Sequence, residues 1–330
     1  MATFEQIKNL ISSHFEGDTE RFKSIALQVA AQEAKSGHKN VALEIKKIVD
    51  SSKNQVNFNL IHAPIIQTIS GDISSLLTLS NPSLRIQDLI TSKCTKDHIL
   101  RLLAEQKERH NLQGYGLQAI RKVLLYGSPG TGKTMTASVI AGELHLPMFT
   151  IRLDGIITKY LGETAAKLRM VFDTIQRNRG VYLFDEFDAL GAKRGQDNEV
   201  GEMRRVLNSF LQFLEQDQSE SIIIAASNLL HLIDNALFRR FDDIIEYSLP
   251  SENEISELTK NILAPFEKEN IDLTIVSKLA KGLSHSDIVS ACRSAAKTAF
   301  LNNSGKILLP NLEKELQKRK KRTKLESVGK

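Results

Sequence analysis

Eight consecutive residues, Gly127-Ser128-Pro129-Gly130-Thr131-Gly132-Lys133-Thr134, constrain this 330-residue chain more than any other feature. They fit G-x-x-x-x-G-K-[ST]. The glycines let backbone N–H groups turn inward around phosphate oxygens, and a helix starting at the loop's end adds positive potential. Such a loop needs a strand before it and a helix after it. Here the apolar run Val123–Tyr126 precedes it and a helical pattern follows. In this pattern Lys133 reaches the β- and γ-phosphates of a nucleotide and Thr134 offers its hydroxyl to Mg²⁺. Ser128, Pro129, Gly130, Thr131, Gly132 and Met135 complete the candidate contacts to ATP.

A second feature has the matching chemistry. Tyr182-Leu183-Phe184-Asp185-Glu186 is an apolar strand that ends in two carboxylates. In an α/β sheet the C-terminal strand ends line the ligand crevice. Asp185 there can hold the water shell of Mg²⁺, and Glu186 can orient and deprotonate an attacking water. Asp188, two residues on, reads as a cap or as support behind the site. Further short, non-alternating apolar runs occur at Met148–Leu153, Ile222–Ala226 and Ile244–Ser248, as parallel strands buried on both faces require. The expectation is a doubly wound, parallel, five-stranded α/β sheet over residues 85–250. A small helical lid follows over 251–310 and a basic tail over 311–330.

Upstream, residues 1–52 read as a three-helix bundle. Phe4, Ile7, Leu10, Ile11 and Phe15 share one helical face; Phe22, Ile25, Ala26 and Val29 share a second; Val41, Ile45, Ile48 and Val49 share a third. The bundle is read as a partner- or substrate-docking domain, with an extension of the main fold as the alternative. Residues 53–84 lack a strong period and read as a linker with one apolar stretch, Leu60–Ile69.

Composition limits the setting. No apolar run approaches the ~18–20 residues of a membrane helix, and the N-terminus has neither a basic nor a long apolar segment. The reading is a cytoplasmic protein, with Cys94 and Cys292 as reduced structural thiols. The net charge is +5, but residues 314–330 carry eight Lys/Arg against two Glu, leaving −1 for the rest. A charge confined to one terminus argues weakly for nucleic acid.

Taken together, the phosphate loop and acidic strand end resemble those of AAA+ ATPases, in their extended classical clade. The resemblance covers about residues 84–305. It implies ATP hydrolysis with Mg²⁺ in a ring-shaped homo-oligomer, a hexamer, acting on polypeptide. In such proteins the strand after the acidic pair ends in a polar sensor of the γ-phosphate, a role that falls to Asn228. The segment Ile233–Asp242 resembles the arginine-finger segment, which implies that Arg239 and Arg240 act in a neighbouring subunit's site. Arginine fingers contribute about 10³–10⁵ in rate elsewhere. Tyr160-Leu161-Gly162 resembles the aromatic–hydrophobic–glycine tripeptide lining the family's central pore, where an aromatic ring grips an extended chain by apolar contact. A core position in a turn is the alternative for Tyr160. The loop Gly191–Gly201 reads as a lower pore ring or a plain surface loop.

Two segments depart from the family pattern. In Gly282-Leu283-Ser284-His285-Ser286-Asp287 a histidine replaces a glycine that approaches adenosine in relatives. Ile86-Gln87-Asp88-Leu89-Ile90 resembles the adenine-packing stretch but lacks its glycine pair, leaving Leu89 and Ile90 as candidate adenine contacts. Small bacterial ATPases of this kind with a short helical N-terminal region pair with a separate subtilisin-like protease, which implies a possible peptidase partner. The alternative of a different class is a nucleic-acid-handling ATPase using Lys318–Arg322 on phosphates.

Overall fold

The structure is a computed structural model and describes residues 19–35, 75–156, 161–190, 197–228, 238–266, 271–301 and 306–328, with positions 8, 38, 41, 43, 44 and 73 singly. The chain divides into two compact units, residues 1–70 and 71–330. In the first unit one helix is described in full, α1 (Thr19–Lys35). It is the second of the three helices expected there, and it buries Ala26, Val29 and Ala30. The first and third helices, and Leu60–Ile69, lie almost wholly outside the described residues.

The second unit begins with β1 (Leu77–Ser80), α2 (Lys93–Lys107), β2 (Lys122–Gly127) and α3 (Lys133–Leu144). It continues through β3 (Met148–Ile151), α4 (Leu161–Arg177), β4 (Val181–Phe184), α5 (Asp197–Gln216), β5 (Ile222–Ser227) and β6 (Asp243–Tyr247). The sheet order is β1-β3-β4-β5-β2-β6. The five strands expected from sequence are all present and mutually parallel. A sixth, β1, joins the edge antiparallel to β3, from Leu77 opposite Ile151 to Ser80 opposite Met148. It comes from the stretch read as linker. Its Leu-Thr-Leu-Ser sequence suits an edge strand, since Leu77 is buried while Thr78 and Ser80 are exposed.

Both sheet faces are dry, which explains the non-alternating strands. Val123, Leu125, Val181, Leu183, Ile222 and Ile224 face the core shared with α2 and α3. On the other face Tyr182 stacks on Phe149 at 4.6 Å, and Phe184 meets Phe210 of α5 edge-on at 5.0 Å. Phe172 of α4 joins this aromatic cluster against Phe184, Phe210 and Phe213.

Four helices follow: α6 (Glu252–Leu263), α7 (Leu273–Ala280), α8 (His285–Leu301) and α9 (Leu309–Val328). A capping box starts α6, with Ser251 accepting from Glu254 N–H and Glu254 accepting from Ser251 N–H at 2.7 Å. Their separate core holds Ile255, Val276, Ile288, Cys292, Leu312 and Leu316. Burial there pushes the Cys292 thiol up to about 11, so it stays protonated at neutral pH. The basic segment 311–328 is not a loose tail. It belongs to α9, whose Leu312 and Leu316 are anchored in this core while Lys321, Arg322 and Leu325 are exposed. No described helix is long and apolar enough to cross a membrane.

Candidate active site

Parallel register places the chemistry at one sheet edge. β2 ends at Gly127, β4 at Phe184 opposite Ala225, and β5 at Ser227 opposite Tyr126. The phosphate loop, Asp185–Glu186 and Asn228 therefore emerge side by side at the carboxyl ends of β2, β4 and β5. Gly127 is fixed by crowding, since a Cβ there would sit 2.0 Å from the Tyr247 carbonyl oxygen of neighbouring β6. Gly130 and Gly132 take φ of +74° and +109°, turning the loop's backbone as the sequence requires.

Lys133 opens α3 and is buried. Its Nζ donates to the carbonyls of Gly127 and Ser128 at 2.7 and 2.9 Å. Burial lowers its pKa, while the Asp185 and Asp188 carboxylates oppose that shift and favour the cation. Thr134 Oγ1 donates to Asp185 Oδ2 at 2.8 Å. The two groups assigned to a metal from sequence thus meet in space, and a hydroxyl beside a carboxylate is an oxygen pair suited to a hard cation.

Glu186 adopts φ +53° without being glycine. Such a conformation costs about 1–3 kcal/mol and needs its surroundings to hold it. Here Phe184 and Phe187 on either side are both buried, with Phe187 4.7 Å from Phe210. Asp185 Oδ1 also accepts from Glu186 N–H at 2.9 Å. The turn leaves the Glu186 side chain exposed at the site. Asp188 accepts from the backbone N–H of Asn228 at 3.1 Å, tying the end of β5 to the acidic turn.

The lid reaches the loop directly. Ser286 N–H donates to the Gly130 carbonyl at 3.0 Å, and a Cβ on Gly130 would lie 2.2 Å from Ser286 Oγ and 2.8 Å from Ser284 Oγ. Ser284 in turn donates to Asp287 at 2.7 Å. These serines were not singled out by sequence; the signal was their place in the Gly282–Asp287 segment. His285 between them has both ring nitrogens buried without a hydrogen-bond partner, and burial lowers its pKa against the opposing pull of Glu254. Leu89 is buried with its Cδ1 3.8 Å from where a Gly132 Cβ would stand, so it lies against the phosphate loop. Ile90 is buried beside it in sequence, and Met135 packs on the central core.

One pair of sequence candidates lies elsewhere. Arg239 and Arg240 precede β6 at the opposite sheet edge, where Asp242 N–H donates to the Lys122 carbonyl at the start of β2. The five residues of β6 separate them from the phosphate-loop edge, roughly 16 Å at ~3.3 Å per residue. Arg239 is exposed and Arg240 pairs with Glu215. Tyr160 and residues 191–196 lie outside the described residues, and Leu161-Gly162 begin α4.

A description of the ATPase family associated with various cellular activities (AAA) matches residues 123–249. The uncharacterized AAA family ATPase y4kL of Sinorhizobium fredii is 30% identical over 322 residues, covering 96% of this chain and 95% of that protein. This chain belongs to the AAA family of ATPases. A proteasome-activating nucleotidase of Saccharolobus solfataricus is 35% identical over 223 residues, 64% of this chain and 56% of the nucleotidase. The ATP-dependent zinc metalloprotease FtsH of Helicobacter pylori is 29% identical over 258 residues, 75% of this chain and 41% of its own length. As an AAA ATPase the chain binds nucleotide and hydrolyses ATP.

Proposed function

We propose that this AAA ATPase works as a ring, a hexamer, that remodels or unfolds protein substrates by drawing polypeptide through its centre. The observation that supports assembly is the placement of Arg239 and Arg240. They sit a strand's length from their own phosphate loop, so a guanidinium from that edge serves a γ-phosphoryl group in another subunit. Hydrolysis then requires a neighbour. Mg²⁺ bound at Thr134 and Asp185 would neutralise phosphate charge. Lys133 stabilises the β- and γ-phosphate oxygens, Glu186 orients the water and takes its proton, and the Asn228 amide holds that water.

Polypeptide as substrate is supported by Tyr160-Leu161-Gly162, whose aromatic ring grips without sequence preference, although Gly162 belongs to the first turn of α4 and not to a bending loop. Two relatives point the same way by name, one a proteasome-activating nucleotidase and one an ATP-dependent metalloprotease. A separate peptidase partner fits this reading. Residues 1–52 would select the substrate or partner.

The test is a substrate trap. Glu186→Gln should hold ATP without turnover and retain client proteins from native extract, and Glu186→Gln/Tyr160→Ala should lose them. Nuclease-sensitive nucleic acid recovered equally with both variants would replace the threading reading by a nucleic-acid-handling one centred on Lys318–Arg322.

A further inference from the structure

Arg240 is engaged within its own chain. Its guanidinium pairs with the carboxylate of Glu215, on the last turn of α5. Both ends of this pair are held in place. Two residues beyond Glu215, buried Asp217 takes the Arg121 guanidinium on its carboxylate and its carbonyl. Two residues beyond Arg240, Asp242 accepts the backbone N–H groups of Arg121 and Lys122, each at 2.9 Å. Phe241, between them, is buried. Arg121 thus ties the end of α5 to the segment entering β6, and Glu215 faces Arg240 across this brace. The pair itself is only partly covered, with side chains 38% exposed for Arg240 and 56% for Glu215.

We propose that Glu215 is a positioning residue for Arg240, holding the guanidinium on its own subunit and setting how readily it reaches a neighbour's nucleotide. This rests on the trans-acting role proposed above. A guanidinium already facing a carboxylate must exchange that partner for phosphate oxygens before it can stabilise charge there. Half-exposed ion pairs are weak, so the pair restrains the arginine without locking it. Removing the charge of Glu215 should therefore raise turnover by about two- to fivefold, the range that breaking such a pair allows.

Steady-state hydrolysis by full-length Glu215→Gln, titrated with ATP, reads this out. The expected result is a kcat raised about two- to fivefold, an unchanged KM for ATP, and no rise over the residual rate when Arg240→Ala is also present. Glu215→Asp, which keeps the charge, should return the rate toward wild type. A kcat at or below wild type overturns the proposal, as does a rise that persists without Arg240. Mixing Arg240→Ala with Glu186→Gln in parallel separates the two ideas. Activity recovered in confirmed mixed rings upholds the trans finger, and a flat Glu215→Gln result then counts against Glu215 alone. No recovery removes both.

Discussion

At the scale of residues, the candidate site gathers side chains that local sequence patterns single out, with Thr134 beside Asp185 and Lys133 folded over the loop carbonyls. Lys133, Thr134, Asp185 and Glu186 fall into local patterns because a phosphate loop and an acidic strand end each need fixed spacing. Their partners did not show. Ser284 and Ser286 meet Gly130 only after the lid folds back, and nothing local marks that contact. Gly130→Ala tests it. The left-handed backbone alone costs about 1–2 kcal/mol for a non-glycine residue, and the added carbon would strike Ser286. ATP affinity by calorimetry should fall roughly tenfold or more; an unchanged affinity would mean the loop and lid adjust freely. His285 gives a pH signature. Its folded pKa lies below that of the unfolded chain, so the unfolded state binds more protons as pH drops past about 6.5. The stability of the lid should be full above that pH and fall below it. Melting temperatures between pH 7.5 and 5.5 should decline in the wild type and decline less in His285→Gln; equal slopes would remove His285 as the cause.

At the scale of elements, the five parallel strands were legible because burial on both faces writes them as short apolar runs between helices. β1 was hidden because Leu77–Ser80 alternates at a sheet edge and is only four residues long. α9 was hidden for the opposite reason, since eight basic residues over 314–330 mask two core leucines. The helix therefore has an anchored half and an exposed half, and substitutions should divide between them. Leu312→Ala should cost about 2–5 kcal/mol in denaturant unfolding, as for a buried leucine. Leu325→Ala should stay within about 0.5 kcal/mol, as for an exposed position. Similar costs at both sites would mean the far half of α9 is also packed.

At the scale of the whole molecule, the proposed function uses two ends of one sheet. The carboxyl edge holds the phosphate loop and the acidic turn, and the amino edge holds Arg239 and Arg240. In the function proposed above, assembly brings them together where a single chain does not. Turnover per subunit should accordingly rise with protein concentration and level off once rings are complete; a rate independent of concentration down to a measured monomer would contradict it. The central claim is that Lys133 and Glu186 divide binding from chemistry at the carboxyl edge. Its most direct test measures ATP binding by calorimetry and phosphate release on the same Glu186→Gln preparation, with Lys133→Ala beside it. Glu186→Gln should bind ATP within a few-fold of wild type and turn over at least about a hundredfold more slowly, the lower bound for losing a general base, while Lys133→Ala should fail to bind. A folded Glu186→Gln that binds ATP and hydrolyses it within tenfold of wild type would place the base elsewhere and contradict this reading of the site.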